Sequence, residues 1–201
     1  MEEMEKTNET KLDFDKLITA DTVLFFDMDG TLIDTNFANF LSYKKAIHSV
    51  TQNGFNLSYN PYHRFNRSVL KSVIPNLSQI DYERITKEKE KFYEDFLHET
   101  KLKKQVFDIL IKYSERNKTV LVTNCRKDRA LLTLNHFELT EKFSHIFYRQ
   151  LDDNEIRINK YLKAIASLRI SPNSVIVFEN ENSEILDAIK AGIPISNILI
   201  L

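Results

Sequence analysis

Several things are scarce in this sequence, and each shortage excludes something. A single cysteine, Cys125, occurs in 201 residues, so no disulfide can close within the chain, which suits a reducing compartment. Only three glycines occur, which makes the position of each informative. No apolar run approaches the ~20 residues that a membrane helix needs. The opening MEEMEKTNETK is acidic and polar, where a secretory signal would be basic and then apolar. A cytoplasmic location without a membrane partner is expected. The formal net charge is −1, so no global field invites nucleic acid, and none is expected as a partner. The histidines His48, His63, His98, His136 and His145 show no metal-ligand spacing.

What is present is an ordinary globular composition, 42% hydrophobic and 28% charged. The length suffices for one compact core with a modest insert. Thr22-Val-Leu-Phe-Phe26 is an apolar run of strand length that ends abruptly at Asp27. Thr119–Thr123, Val175–Phe178 and 197–201 are similar, and His145–Tyr148 is a weaker case. Continuous rather than alternating apolar strands indicate a parallel sheet covered on both faces. Between them, Ala130, Leu131, Leu134 and Phe137 recur at helical spacing, as do Ile185, Ala188 and Ile189. Asn182 or Ser183 is placed to cap the latter helix, Gly192 to end it and Pro194 to stop its continuation. The alternation gives an α/β fold with a parallel, Rossmann-like sheet and helices on both faces. Residues 36–101 break the pattern with helical periodicities alone: Phe37, Phe40, Leu41 and Ile47 share a face, as do Ile85, Phe92 and Phe96. Residues 53–61 form a turn-rich link between them. The expected organisation is a tail over 1–20, a core over 21–35 and 102–201, and a small helical insert over 36–101.

The strongest chemical signal is Val23-Leu-Phe-Phe-Asp-Met-Asp-Gly-Thr-Leu-Ile-Asp-Thr35. An apolar strand delivers Asp27 and Asp29 to its C-terminal end, the edge where ligands bind in open α/β sheets. Gly30 then permits a sharp turn. Two carboxylates at such a mouth repel each other and resist desolvation, which calls for a cation or a shared proton. Aspartates that merely cap a strand end are the bland alternative. Asp13-Phe-Asp15 copies the spacing without a preceding strand, and Asp152-Asp153 sits in a polar loop. Thr35 is placed to cap the next helix, and Asp34 either caps or shapes the site.

Asp27-Met-Asp-Gly-Thr31 resembles the first signature of the haloacid-dehalogenase superfamily, and later motifs follow in the expected order. Thr123, with Asn124 and Arg126, resembles the second. Lys160 in Ile158-Asn-Lys-Tyr-Leu-Lys163 is similar to the third-motif lysine, with Lys163 as its rival. Val177-Phe-Glu-Asn-Glu-Asn-Ser-Glu184, followed by Ala191-Gly-Ile-Pro194, resembles the fourth. The resemblance covers roughly residues 22 to 195 and implies strand order 5-4-1-2-3, with a helical cap between the first and second motifs. It implies Asp27 as the nucleophile, Asp29 as the acid–base group, Thr123 as a donor to the phosphoryl oxygen and Lys160 as the fixed cation. It further implies Mg²⁺ held by Asp27, Asp29 and the fourth motif with Glu179, Asn180 and Glu184. Thr31, Asn124 and Arg67 would contact a small phosphorylated metabolite, a fork-shaped guanidinium being suited to phosphate. His63, Arg64, Arg67 and Lys71 otherwise form a solvated helix face, and Lys44, Lys45 and His48 lie at the surface.

Two departures stand out. Asn180 occupies a position where many relatives carry Asp, which removes one negative charge from the metal site. Tyr161 replaces the proline that commonly follows the lysine. The expected activity is Mg²⁺-dependent hydrolysis of a small phosphate monoester, a sugar phosphate, a phosphoglycolate-like acid or a nucleotide, through an aspartyl-phosphate. A phosphomutase of the β-phosphoglucomutase type and a catalytically decayed binding relative are the alternatives, the latter prompted by Asn180. Cys125, lacking a base, reads as a bystander.

Overall fold

The structure, a computed structural model, describes residues 17–52, 55–150 and 157–200. The expected tail over 1–20 therefore lies mostly outside the described residues, as do Asp13, Asp15, Asp152 and Asp153. Five strands form the central sheet: β1 (Val23–Phe26), β4 (Lys118–Val122), β5 (His145–Phe147), β6 (Val175–Glu179) and β7 (Ile198–Ile200). Their order is β5-β4-β1-β6-β7, and every pairing is parallel. Numbered along the core alone, this is the expected 5-4-1-2-3 arrangement.

The strands alternate their side chains between two apolar layers, as the period of two requires. Leu24, Phe26, Leu121, Ile176 and Phe178 point into one layer. There α4 (Lys104–Tyr113) contributes Val106, Ile109, Leu110 and Tyr113, and α5 (Lys127–His136) contributes Ala130 and Leu134. Val23, Phe25, Val120, Val122, Val175 and Val177 point into the other, which α6 (Lys160–Leu168) and α7 (Asn182–Lys190) cover. Burial on both faces is why these strands read as unbroken apolar runs.

Between β1 and β4 the chain leaves the sheet. The helices α1 (Asn36–Thr51), α2 (Arg67–Val73) and α3 (Gln79–Phe92) share a third apolar cluster of their own, built on Phe40, Tyr43, Ile47, Leu70 and Ile85. Asn66 caps α2 by accepting from the Ser68 and Val69 amides at 2.9 and 3.0 Å. A short antiparallel ribbon, unforeseen in the sequence, closes the base of this segment. In it β2 (Ile33–Asp34) pairs with β3 (Lys101–Leu102). Two residues per strand are too few to leave a periodic signal.

Two capping expectations are corrected. Glu181, not Asn182 or Ser183, holds the N-cap position of α7, without a side-chain cap bond; the Ser183 hydroxyl instead donates to the Glu181 carboxylate at 3.0 Å. Thr35 holds the N-cap position of α1 but makes no side-chain cap bond; its hydroxyl instead donates to the Asp29 carboxylate. The Asp34 carboxylate accepts from the Asn36 amide at 3.0 Å and does the local capping instead. The expected end of α7 holds: Gly192 follows with φ of 88°, a left-handed turn that glycine adopts without strain.

Phe26 is fully buried, stacked on Phe178 at 4.6 Å and edge-on to Phe143 at 6.0 Å. Phe26→Ala removes both ring contacts and leaves a void between sheet and helices. The expected loss is about 3–5 kcal/mol, read from urea denaturation. A loss below about 1 kcal/mol would show that this layer is not the close-packed one described.

Candidate active site

The C-terminal ends of three neighbouring strands bring the chemistry together. Asp27 follows β1 directly and its amide donates to the Phe178 carbonyl at 3.1 Å, which fixes the backbone beneath the carboxylate. Thr123 follows β4 and is buried, its amide donating to the Phe147 carbonyl at 2.9 Å. Glu179 ends β6. Lys160 is the first residue of α6, and Asn159 caps that helix by accepting from the Tyr161 and Leu162 amides, each at 3.0 Å. The Asn159 amide group also donates to the Asp187 carbonyl at 2.8 Å, so the start of α6 is anchored to α7.

Lys160 aims its ammonium into the carboxylates: 2.6 Å to Asp27, 2.9 Å to Glu179 and 3.3 Å to Glu184. Lys163 lies further along α6 and does not line the site, which distinguishes the two candidate lysines by geometry. Burial opposes the charge on Lys160, but the Asp27 carboxylate, with Glu179 and Glu184 behind it, overrides burial and holds the ammonium well above its ordinary range. Burial also pushes the Asp27 carboxyl up to about 8, against the pull of Lys160 and with repulsion from Glu179 and Asp29 added. Lysine is thus the settled cation of this cluster, and Asp27 is short of positive charge.

Glu179 faces inward. Besides Lys160 it accepts from the Tyr161 hydroxyl and from the Asn180 and Glu181 amides at 2.9 and 3.2 Å, and it does not line the cavity. Tyr161, standing where a proline was expected, supplies one of the donors that allow this carboxylate to be buried. Thr31 is likewise set back, its hydroxyl donating to the Asn180 side-chain oxygen at 2.9 Å. Gly30 has φ of 86°, and a Cβ there would meet the Asn180 amide nitrogen at 2.7 Å; both the turn and the packing demand glycine. Glu184 accepts from Asn124 at 2.7 Å and from Arg157, leaving the buried side-chain oxygen of Asn124 without a hydrogen-bond partner.

Asp29 sits in a different field. One of its oxygens accepts from Thr35 at 2.5 Å and lies 3.2 Å from Arg64; the other accepts from Arg129 at 3.0 Å. Burial alone would raise this carboxyl, but Arg64 and Arg129, with the Thr35 hydroxyl, hold it well below the usual carboxylate range. Arg129 also donates to the Cys125 sulfur at 2.8 Å, lies 3.8 Å from Glu90 and stands 5.3 Å over the Tyr93 ring. Burial pushes the Cys125 thiol up to about 12, so it stays a neutral neighbour of the site. Arg129 escaped the sequence reading because a single cation inside an amphipathic helix carries no pattern. Arg64 was visible only as part of a basic stretch; it lines the cavity, whereas Arg67 is exposed and does not.

These groups surround a cavity of about 600 Å³ whose lining includes Asp27, Asp29, Thr123, Asn124, Lys160 and Asn180. Among the described residues no three His, Cys, Asp or Glu side chains converge as a closed metal cage. The under-compensated Asp27 and the unpartnered Asn124 oxygen nevertheless make an all-oxygen donor set. Such a set fits a hard divalent cation that keeps much of its water.

A sheet whose central strand ends in Asp-x-Asp beside a buried lysine defines a phosphoryl- or acyl-handling α/β hydrolase site. The comparisons make this specific: the haloacid dehalogenase-like hydrolase family matches residues 24–198, and the chain belongs to that family. It is 25% identical over 177 residues to a phosphorylated carbohydrates phosphatase from Thermotoga maritima, covering 85% of this chain and 81% of that protein. Its fold matches a haloacid dehalogenase-like family hydrolase from Streptococcus pneumoniae with a TM-score of 0.73 at 18% identity, over 91% of this chain and 85% of that one. It also matches a putative β-phosphoglucomutase from Thermotoga maritima with a TM-score of 0.63 at 24% identity, over 88% and 83%. Among the described residues no helix is long and apolar enough to cross a membrane.

Lys160→Met strands three carboxylates without their shared cation. The expected cost is about 3–5 kcal/mol in urea denaturation. The double variant Asp27→Asn/Lys160→Met should lose clearly less than the two single losses added together. Simple additivity would mean that the two groups do not interact as their 2.6 Å separation requires.

Proposed function

We propose that this protein hydrolyses small phosphate monoesters through a phosphorylated Asp27, with residues 36–101 serving as a cap over the cavity. The observation that carries the reading is the Asp27 carboxylate at the mouth of the central strand, 2.6 Å from the buried Lys160. It opens on a cavity edged by Arg64 from the helical segment. The named activity of the Thermotoga maritima phosphatase agrees with it.

In this mechanism Asp27 attacks phosphorus, the ester oxygen departs, and water later attacks the acyl phosphate to restore the carboxylate. Lys160 holds the Asp27 carboxylate in position and spreads positive charge toward the transferring group. Thr123 offers its hydroxyl to a phosphoryl oxygen. Asp29 handles the proton of the leaving oxygen and then of the water. Because Arg64 and Arg129 hold Asp29 ionised, an anionic substrate that draws Arg64 to itself frees Asp29 to take up a proton. Asp27, the Asp29 main-chain carbonyl and Asn180, with Glu184 behind them, would hold Mg²⁺; Glu179 is committed to Lys160. When bound, Mg²⁺ neutralises charge on the phosphoryl oxygens.

Purified protein assayed with p-nitrophenyl phosphate and Mg²⁺, titrated well into the millimolar range, tests the reading. Asp27→Asn should abolish phosphate release while the variant keeps a cooperative urea transition; near-normal release would rule out this nucleophile. Interconversion of hexose phosphates in place of release would instead identify a mutase. Asn180→Asp should lower the Mg²⁺ concentration for half-maximal activity, since it restores a charged oxygen ligand. An unchanged Mg²⁺ dependence would place the metal away from position 180.

A further inference from the structure

A second cavity of about 430 Å³ adjoins the first, and the two differ in kind. The reaction cavity carries carboxylates, Lys160 and two arginines. Among the described residues, the second is lined by no Asp, Glu, Lys or Arg. Its lining includes Phe40, Phe55, Tyr59 and Phe65 together with Asn56 and Asn60; the Asn60 side-chain oxygen accepts from the Tyr62 amide at 2.9 Å. His63 and Val69 line both cavities, so the two meet across those side chains.

Three of the four rings are held by protein. Tyr59 stands edge-on to Phe37 at 4.9 Å and tilted to Phe40 at 5.4 Å, while Phe65 packs on Phe40 at 6.0 Å and on Tyr43 at 5.0 Å. Phe55 differs: it is 37% exposed and makes no ring pair among the described residues. A wall of fixed rings facing one uncommitted ring suits a flat guest. Without a lining cation, a second phosphate or a carboxylate would be desolvated here uncompensated. A two-carbon acid bound at Asp27 would leave the second cavity unused. A heteroaromatic ring fits on both counts, since its faces stack on aromatic side chains and its edges exchange hydrogen bonds with amides that both donate and accept. The volume falls within the ~300–1,000 Å³ of small-molecule sites.

We propose that the alcohol of the substrate carries such a ring, seated in this second cavity, so that the substrate class is a nucleoside monophosphate. The proposal rests on the phosphatase reading for its reaction and on the second cavity for its specificity. Hydrolysis breaks the ester P–O bond, leaves inorganic phosphate and releases the nucleoside with the proton supplied at its oxygen.

The test compares kcat/KM, with Mg²⁺ present, for adenosine and uridine 5′-monophosphates against glycerol phosphate, which has no ring. The nucleotides should be preferred by at least about tenfold. Phe55→Ala should shrink that ratio by about tenfold, the scale of one aromatic–base stacking contact. Val73→Trp, at a half-exposed lining position, should shrink it similarly by filling the cavity. Calorimetry with adenosine, which carries no phosphate, should show binding to the parent protein and none to Val73→Trp. Equal kcat/KM for ring and ringless esters, or a preference untouched by both variants, overturns the ring site while leaving the phosphatase reading intact. Adenosine binding without turnover of any ester does the reverse.

Discussion

A buried ammonium surrounded by acids is the constraint on which the rest of the site depends. Parallel strands end together, so the residues at the C-terminal ends of β1, β4 and β6 meet at one edge whatever their chemistry. In this chain two of those three places carry carboxylates, Asp27 and Glu179, both buried. Neither can be desolvated alone. Lys160 resolves both at once, and its placement needs the Asn159 cap, the start of α6 and the tie to α7. Glu179 also needs Tyr161 and two backbone amides. Lys160 leaves Asp27 only partly compensated, with its carboxyl pushed up to about 8.

Asp29 shows the opposite balance only two residues away. Gly30 turns the chain so that its carboxylate leaves the Lys160 cluster and enters the field of two arginines. One arginine comes from the core helix α5 and the other from the segment just before α2, so this carboxylate links the sheet to the helical segment. Arg129 extends the link to Glu90 at the end of α3, beside the buried Lys89, whose ammonium burial lowers to about 7. The two aspartates of one motif thus have unlike proton affinities because one faces acids and the other faces bases.

The parts of this architecture that repeat were legible in the sequence. Strands buried on both faces write themselves as apolar runs, and β1, β4 and β6 appear within a residue of where those runs suggest. The order of the sheet followed from the motif resemblance. Asp27 and Asp29 were legible as acids at a strand end, and Thr123 and Lys160 entered through the motif resemblance; the structure places all four around one cavity. Arg129 and Arg64 were missed for the complementary reason: their role depends on which side chains lie across the cavity, and no periodicity records that. Arg67 was chosen over Arg64 by analogy of position alone, yet three residues separate a side chain facing the cavity from one facing solvent. The Thr35 cap was misread because its hydroxyl is oriented to donate to Asp29, an ionised acceptor, and no α1 amide bonds its oxygen. The β2–β3 ribbon is two residues long and leaves no trace.

Asn180 ties these threads together. It lies against Gly30, accepts from Thr31 and borders the cavity beside Asp27. A carboxylate there would add a negative charge beside Asp27 and Glu184, which line the same cavity, and would meet their repulsion. An amide keeps the Thr31 contact and an oxygen toward the cavity without that repulsion. Relative to an aspartate, Asn180 therefore lessens the repulsion among the acids at this edge of the sheet. The neutral side chain leaves the Asp27–Lys160 pair and the arginine-held Asp29 undisturbed.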